Sequence, residues 1–211
     1  MLRFIFLATI LFNPRASARA SDLNFSDACQ PGNNVTISAV GDLLLHKALQ
    51  QQAYNEDGGF QTLWKEASPI FEAVDVSYGN VEGPVAENIM CNGRPAPDSP
   101  QQLDPECRKS KTSVYTSYPR FNYHPSLVSD LVSSGFDIVS AANNHSMDRG
   151  PLGVEKTIDA FENQDLPYTG IRRAHQESAP WHTVTNVRGN SIAWLSVRIA
   201  RTDSETLINR L

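Results

Sequence analysis

The sequence predicts an α/β domain on a largely parallel sheet, and three observations lead to it. Short apolar runs alternate with segments of helical periodicity between residues 35 and 170. Three of those runs stop at a cluster of polar side chains, as strands do at a βα turn. The 211 residues are 40% hydrophobic and 19% charged with 12 Gly and 13 Pro, enough for one sizeable core. This composition excludes collagen-like, coiled-coil and low-complexity chains.

Residues 35–40 read as a buried strand ending at Gly41-Asp42. Residues 43–52 have helical composition. A second helix is expected over 60–73, where Leu63, Trp64, Ala67, Ile70 and Phe71 recur at helical spacing. Residues 75–80 form a second, less apolar strand that runs into Asn80-Val81-Glu82-Gly83-Pro84. An insertion and a Ser/Thr/Tyr-rich stretch fill 85–121, and residues 125–134 then read as a helix with Pro125 in its permitted first turn and Gly135 as its cap. The third strand, 136–140, leads into Asn143-Asn144-His145-Ser146-Met147-Asp148-Arg149-Gly150. A helix over 151–163 and a short strand near 166–169 complete the alternation. Residues 181–187 and 190–197 suit a hairpin turning at Arg188-Gly189-Asn190.

The N-terminus has another character. Met1-Leu2-Arg3, the apolar run 4–12 and the small residues Ala16, Ala18 and Ala20 have the three parts of a secretory signal. The expected division is a signal peptide over 1–20, a mobile segment over 21–34, one domain over 35–197 and an atypical tail over 198–211. Removing the signal leaves 15 basic against 23 acidic residues, a net charge of −8. Such a balance provides no basic field for nucleic acid. The apolar run is too short to span a membrane, so an exported protein, periplasmic or extracellular, associated with the cell envelope and without a spanning segment after cleavage, is expected. Of the three cysteines, Cys91 and Cys107 are the favoured disulfide pair, because they bracket a polar loop that has no apolar periodicity to pack it. Cys29 is then left over.

Chemistry is expected where the strands end. Asp42 with His46, Asn80 with Glu82, and Asn143, Asn144 and His145 with Asp148 should converge on one rim of the sheet. Carboxylate, carboxamide and imidazole donors together suit Mn²⁺, Fe²⁺, Zn²⁺ or Mg²⁺, and the lack of thiolates argues against a closed structural zinc site. Each cluster also has a plainer reading: Asp42 as a helix cap, Asn80 and Glu82 as turn formers, His46 facing the surface instead of the rim. His124, His175 and His182 stand alone and read as structural or surface histidines.

The stretches 37–42, 79–84 and 142–150, in that order at βα junctions, resemble three motifs of the capsule-synthesis CapA family, which is related to calcineurin-like metallophosphatases. The resemblance covers residues 35–197. It implies a metallophosphatase-like α/β sandwich with a metal centre on one rim. Asp42, Asn80, Glu82 and Asn144, with His46 beside them, would hold or line the divalent metal. His145 would stabilise the leaving group, and Asp148 would hold its imidazole. Members of the family continue with further histidines and a second sheet. No Gly-x-His-x-His or His-Trp-Gly pattern follows residue 170 here, so the second sheet is expected to be incomplete and the centre short of ligands.

The function expected from these readings is an exported protein of capsule or exopolymer synthesis, of poly-γ-glutamate type, carrying a phosphoesterase-like or other metal-dependent hydrolase site. The alternatives are an accessory protein that binds an anionic exopolymer or envelope assembly proteins without catalysis, and a non-functional truncated fragment.

Overall fold

The computed structural model describes residues 34–96, 107, 112–176 and 178–198. The expected signal segment, Cys29, most of the bracketed loop and nearly all of the tail lie outside the described residues. Backbone contacts divide the chain into Met1–Val35 and Thr36–Leu211, and the second unit carries the fold.

Four parallel strands form the main sheet: β1 (Ile37–Leu43), β2 (Val76–Val81), β3 (Ile138–Ser140) and β4 (Tyr168–Thr169), side by side in chain order. The connections carry α1 (Lys47–Asn55), a 3₁₀ turn (Gly59–Leu63), α2 (Ser68–Glu72), α3 (Ser126–Ser133) and α4 (Gly150–Glu162). Strands β5 (His182–Val187) and β6 (Asn190–Leu195) make a separate antiparallel pair, turning at Arg188-Gly189 as expected. Among the described residues no helix is long and apolar enough to cross a membrane.

A sheet whose parallel strands follow chain order, joined by right-handed crossovers, receives all its connecting helices on one face. Side-chain alternation along β2 agrees. Ser77 bonds through its hydroxyl to the Phe71 carbonyl at the end of α2, and Gly79 packs under Phe136, Leu43 and Val40. The intervening Tyr78 stacks on Trp194 of the hairpin, rings 5.5 Å apart and nearly parallel. The helical side holds the core, where Phe60, Phe71, Phe121, Leu127, Val128, Leu131, Val139 and Phe161 are buried together. The fold is thus mixed α/β with a parallel sheet, as the alternation implied.

Several boundaries differ from the sequence reading, each for a local reason. Strand β1 runs on to Leu43 through an irregularity between Ala39 and Asp42, so Asp42 pairs with Asn80 inside the sheet and does not cap a helix. Helix α1 therefore starts only at Lys47, and His46 sits in extended backbone ahead of it. The single helix expected over 60–73 is two pieces. Pro69 can occupy only the first turn of a helix and restarts it as α2, while Asp130 accepts the Phe60 N–H at 2.7 Å and Ser134 accepts the Trp64 indole N–H at 2.8 Å, fixing the earlier piece as a 3₁₀ turn on α3. The stretch 85–121 is no mere insertion either: Val85, Ala86, Ile89, Val114, Tyr115 and Phe121 are buried core.

Cys91 and Cys107 are joined, with Cα atoms 5.6 Å apart. The segment from 113 to 123 is held by buried amides. Gln50 donates to the Leu45 and Thr116 carbonyls, and Asn122 donates to the Ala86 and Val114 carbonyls while accepting the Ala86 N–H. Among the described residues no buried side-chain nitrogen or oxygen lacks a hydrogen-bond partner.

Gly170, just past β4, has φ +92°, and a Cβ there would lie 2.5 Å from Ala142 Cβ and 2.9 Å from its backbone nitrogen. Gly170→Ala is expected to destabilise the fold by about 1–3 kcal/mol in urea denaturation, since both the backbone and the loop that begins the third cluster must shift.

Candidate functional site

Parallel strands share a direction, so the residues that end β1, β2 and β3 meet on one edge of the sheet. Asp42 and Asn80 are register partners on adjacent strands, and Asn80 Nδ2 donates to Asp42 Oδ1 at 2.7 Å. Asn143, just beyond β3, donates to Asn80 Oδ1 at 3.3 Å and to the Val81 carbonyl at 2.8 Å. Its own Oδ1 accepts the His145 N–H at 3.1 Å, which closes the turn that carries the imidazole. The three clusters are thereby one hydrogen-bonded array, each member supplied by a different strand end.

Glu82 follows β2 directly and is almost buried, its backbone carbonyl accepting the Tyr123 hydroxyl at 2.7 Å. Burial, and then the neighbouring Asp42 carboxylate, hold the Glu82 carboxyl above the usual glutamate range. His145 Nε2 lies 4.0 Å from Glu82 Oε1. On the other side of the ring, Nδ1 lies 2.7 Å from Asp148 Oδ2. A carboxylate only accepts, so Nδ1 carries the proton of this bond and Nε2 is left facing Glu82. Asp148 Oδ2 also accepts the Phe121 N–H at 2.7 Å, and the Phe121 ring meets His145 edge-on, centroids 4.7 Å apart. Asp148 is therefore fixed from two sides, and the imidazole from three.

Two candidates are placed differently. Asn144 is exposed and its neighbour Asn143 faces the array. His46 is exposed, with its ring edge-on to Phe121 at 5.3 Å and tilted against Tyr118 at 6.4 Å. Of the solitary histidines, His124 serves the fold. Its Nδ1 accepts the Ser126 N–H at 3.1 Å at the start of α3, and burial holds it below the usual histidine range. His175 and His182 are exposed.

Phe121 and Tyr123 escaped the sequence reading because their segment has no regular periodicity. The aromatic run Phe121-Asn122-Tyr123-His124 was its one signal. Arg149 escaped too. Its side chain is wholly buried, donating to the carbonyls of Ile89 at 3.3 Å, Val114 at 2.9 Å and Asp148 at 3.2 Å and to the Thr116 hydroxyl, with Cys91 Sγ 3.6 Å away. Burial lowers its pKa to about 10, which still leaves a full charge at neutral pH.

Among the described residues no three His, Cys, Asp or Glu side chains come together as a metal-ligating group. The groups on this edge that could hold a divalent cation are the carboxylates of Asp42 and Glu82 and the carboxamides of Asn80 and Asn143, whose oxygens accept hydrogen bonds within the array. Two acidic groups close enough to raise the proton affinity of one are a fit for a hard cation, at a low count of protein ligands.

A parallel α/β sheet whose strand ends gather carboxylate, carboxamide and imidazole groups defines a class of protein with its functional groups on the carboxyl edge. Residues 36–208 match the family described as bacterial capsule synthesis protein PGA_cap, and the chain belongs to that family. Similar sequences include the PGA biosynthesis protein CapA of Bacillus subtilis (strain 168), 26% identical over 163 residues that make up 76% of this chain and 36% of the relative. The capsule biosynthesis protein CapA of Bacillus anthracis is 25% identical over 136 residues, 64% of this chain and 28% of its own length. The uncharacterized protein y4uA of Sinorhizobium fredii (strain NBRC 101917 / NGR234) is 26% identical over 175 residues, 83% of this chain and 32% of the relative. The chain therefore spans about a third of the length of the curated relatives it matches.

Two outcomes are expected from this geometry. Arg149→Met strands several buried acceptors and should lower unfolding free energy by roughly 2–4 kcal/mol in denaturant titration. Glu82 binds its proton more tightly in the folded than in the unfolded chain, so in chelator its contribution to stability is present at low pH. That contribution is lost as pH rises from the ordinary glutamate range through the raised folded value. Glu82→Gln should flatten that limb of the Tm–pH curve.

Proposed function

We propose that this is an exported protein of capsule or exopolymer synthesis, of poly-γ-glutamate type, whose carboxyl-edge array is a metallophosphatase-type hydrolytic site within a metallophosphatase-like sandwich. The single observation that carries the reading is the joining of Asp42, Asn80, Glu82, Asn143, His145 and Asp148 through one edge of the sheet. Family membership and the capsule-biosynthesis names of two relatives support the setting. The signal-like N-terminus supports export.

In this reading Asp42 and Glu82 hold the divalent metal, with Asn80 or Asn143 turning a carboxamide oxygen toward it. Bound there, Mn²⁺, Fe²⁺, Zn²⁺ or Mg²⁺ would supply a Lewis acid and lower the pKa of water. Asn144, exposed beside the array, is accessible to substrate or to an additional ligand. His145 presents Nε2 to the reacting group, where it would take up a proton from the attacking water and pass it to the departing oxygen, while Asp148 keeps the proton of the resting ring on Nδ1. His46, Tyr118 and Phe121 wall one side and orient what enters. A phosphoester or an amide-linked polymer is the substrate class, and an anionic exopolymer or envelope assembly proteins are the partners this setting provides.

Titration calorimetry with Mn²⁺ and Zn²⁺ tests the reading. Asp42→Asn and Glu82→Gln should each weaken binding by about tenfold or more. His145→Ala should bind metal as before yet hydrolyse phosphodiester and amide-linked polymer substrates about 10²–10⁴-fold more slowly. Equal metal affinity in all the variants would sink the assignment.

A further inference from the structure

The disulfide lies outside the array yet is wired to it by two routes. On the first, the Arg149 guanidinium lies 3.6 Å from Cys91 Sγ and donates to the Asp148 carbonyl at 3.2 Å, so the backbone of the residue that holds His145 is tied to the buried guanidinium. On the second, Cys107 Sγ sits 3.5 Å from Thr116 Oγ1 and 3.8 Å from the Arg120 carbonyl. Thr116 donates its hydroxyl to that same carbonyl, Arg120 Nη1 reaches back to the Cys91 carbonyl at 3.3 Å, and the next N–H along, that of Phe121, is the one that Asp148 accepts. Both half-cystines thus press on the short stretch that orients the Asp148 carboxylate.

The physical need for such a brace is clear. A wholly buried guanidinium must find acceptors for its N–H groups, and Arg149 draws them from Ile89, from Val114 and Thr116, and from Asp148, on three loops outside the named helices and strands. The buried amides of Gln50 and Asn122 hold the 113–123 segment, and the cross-link adds a constraint by reducing the conformational freedom of the unfolded chain. The Cys91 N–H, bonded to the Ser113 carbonyl at 2.8 Å, joins the two loops just beside the link.

We infer that the Cys91–Cys107 disulfide and Arg149 form one positioning unit for the His145–Asp148 pair, so that the oxidised chain holds the imidazole in its working orientation and the reduced chain does not. The unit never touches substrate. It acts through the Phe121 N–H and the Asp148 backbone, and the inference rests on the proposed role of His145 only for its consequence in catalysis.

The test compares the full chain oxidised, reduced with a phosphine, and as the Cys91→Ser/Cys107→Ser double variant, with intact mass after alkylation reporting the thiols. Amide hydrogen exchange of Phe121 should quicken about tenfold or more in the reduced and double-variant proteins, while Val139 in β3 changes by less than about twofold. Imidazole ¹⁵N spectra at one fixed pH should show the Nδ1-protonated tautomer of His145 in the oxidised protein and a mixture in the reduced one. Arg149→Lys, which keeps the charge but not the fork, should reproduce both changes with the disulfide intact. Unchanged Phe121 exchange in a protein with both thiols alkylated would overturn the inference. So would equal acceleration at Val139, which would make the link a staple of the whole fold. Failure of the proposed function looks different: the exchange and tautomer differences persist while hydrolysis is absent in every form.

Discussion

The wholly buried charge of Arg149 is the constraint on which the arrangement around the site depends. A guanidinium offers five N–H donors in a rigid plane and keeps its charge even in an apolar surround. Leaving those donors unpaired would cost several kcal/mol, so the chain brings carbonyls from three directions to meet them. The loops so gathered are the ones that carry Thr116, Phe121 and Asp148, and the imidazole of His145 takes its orientation from them. A site that looks like a product of strand ends alone is therefore half made by irregular chain packed behind it.

The sheet was largely legible in the sequence. Apolar runs at 35–40, 75–80 and 136–140 overlap β1, β2 and β3, and the Arg188-Gly189 turn located the hairpin. The polar clusters were legible too, because polar side chains such as Asn80 and Asn143 at or just past the end of a buried strand must be satisfied there. Less visible was what tertiary contact decided. Asp130 and Ser134 cut a predicted helix in two from 70 residues away, and no local pattern shows that. Nor could periodicity tell Asn143 from Asn144, since the turn after β3 has no regular period and only its hydrogen bonds show which of the two faces the array. Segment 113–123 has neither helical nor strand period, and its buried Asn122 and Tyr123 are anchored by hydrogen bonds that a hydrophobic pattern does not record.

The two faces of the sheet are treated differently. Helices cover one with a continuous aromatic and aliphatic core. On the other, Trp194 of the hairpin lies flat on Tyr78, and the Thr169 hydroxyl bonds to the Trp194 carbonyl at 3.2 Å. The outward side of the hairpin leaves Val184 and Leu195 exposed. This asymmetry follows from strand order, because crossovers of one hand in a sequentially ordered sheet can supply helices to only one side.

That same order sets a timetable. Asn80 bonds to Asp42 across 38 residues and Asn143 to Asn80 across 63, so the links that join one strand end to the next close long loops. Loop closure of that span is entropically late and slow. As the chain leaves the ribosome, the Asp42 and Glu82 carboxylates are made well before the segment that brings Asn143 and His145. During that interval the acidic pair exists without its imidazole, so any chemistry of the array arises only when β3 takes its place beside β2.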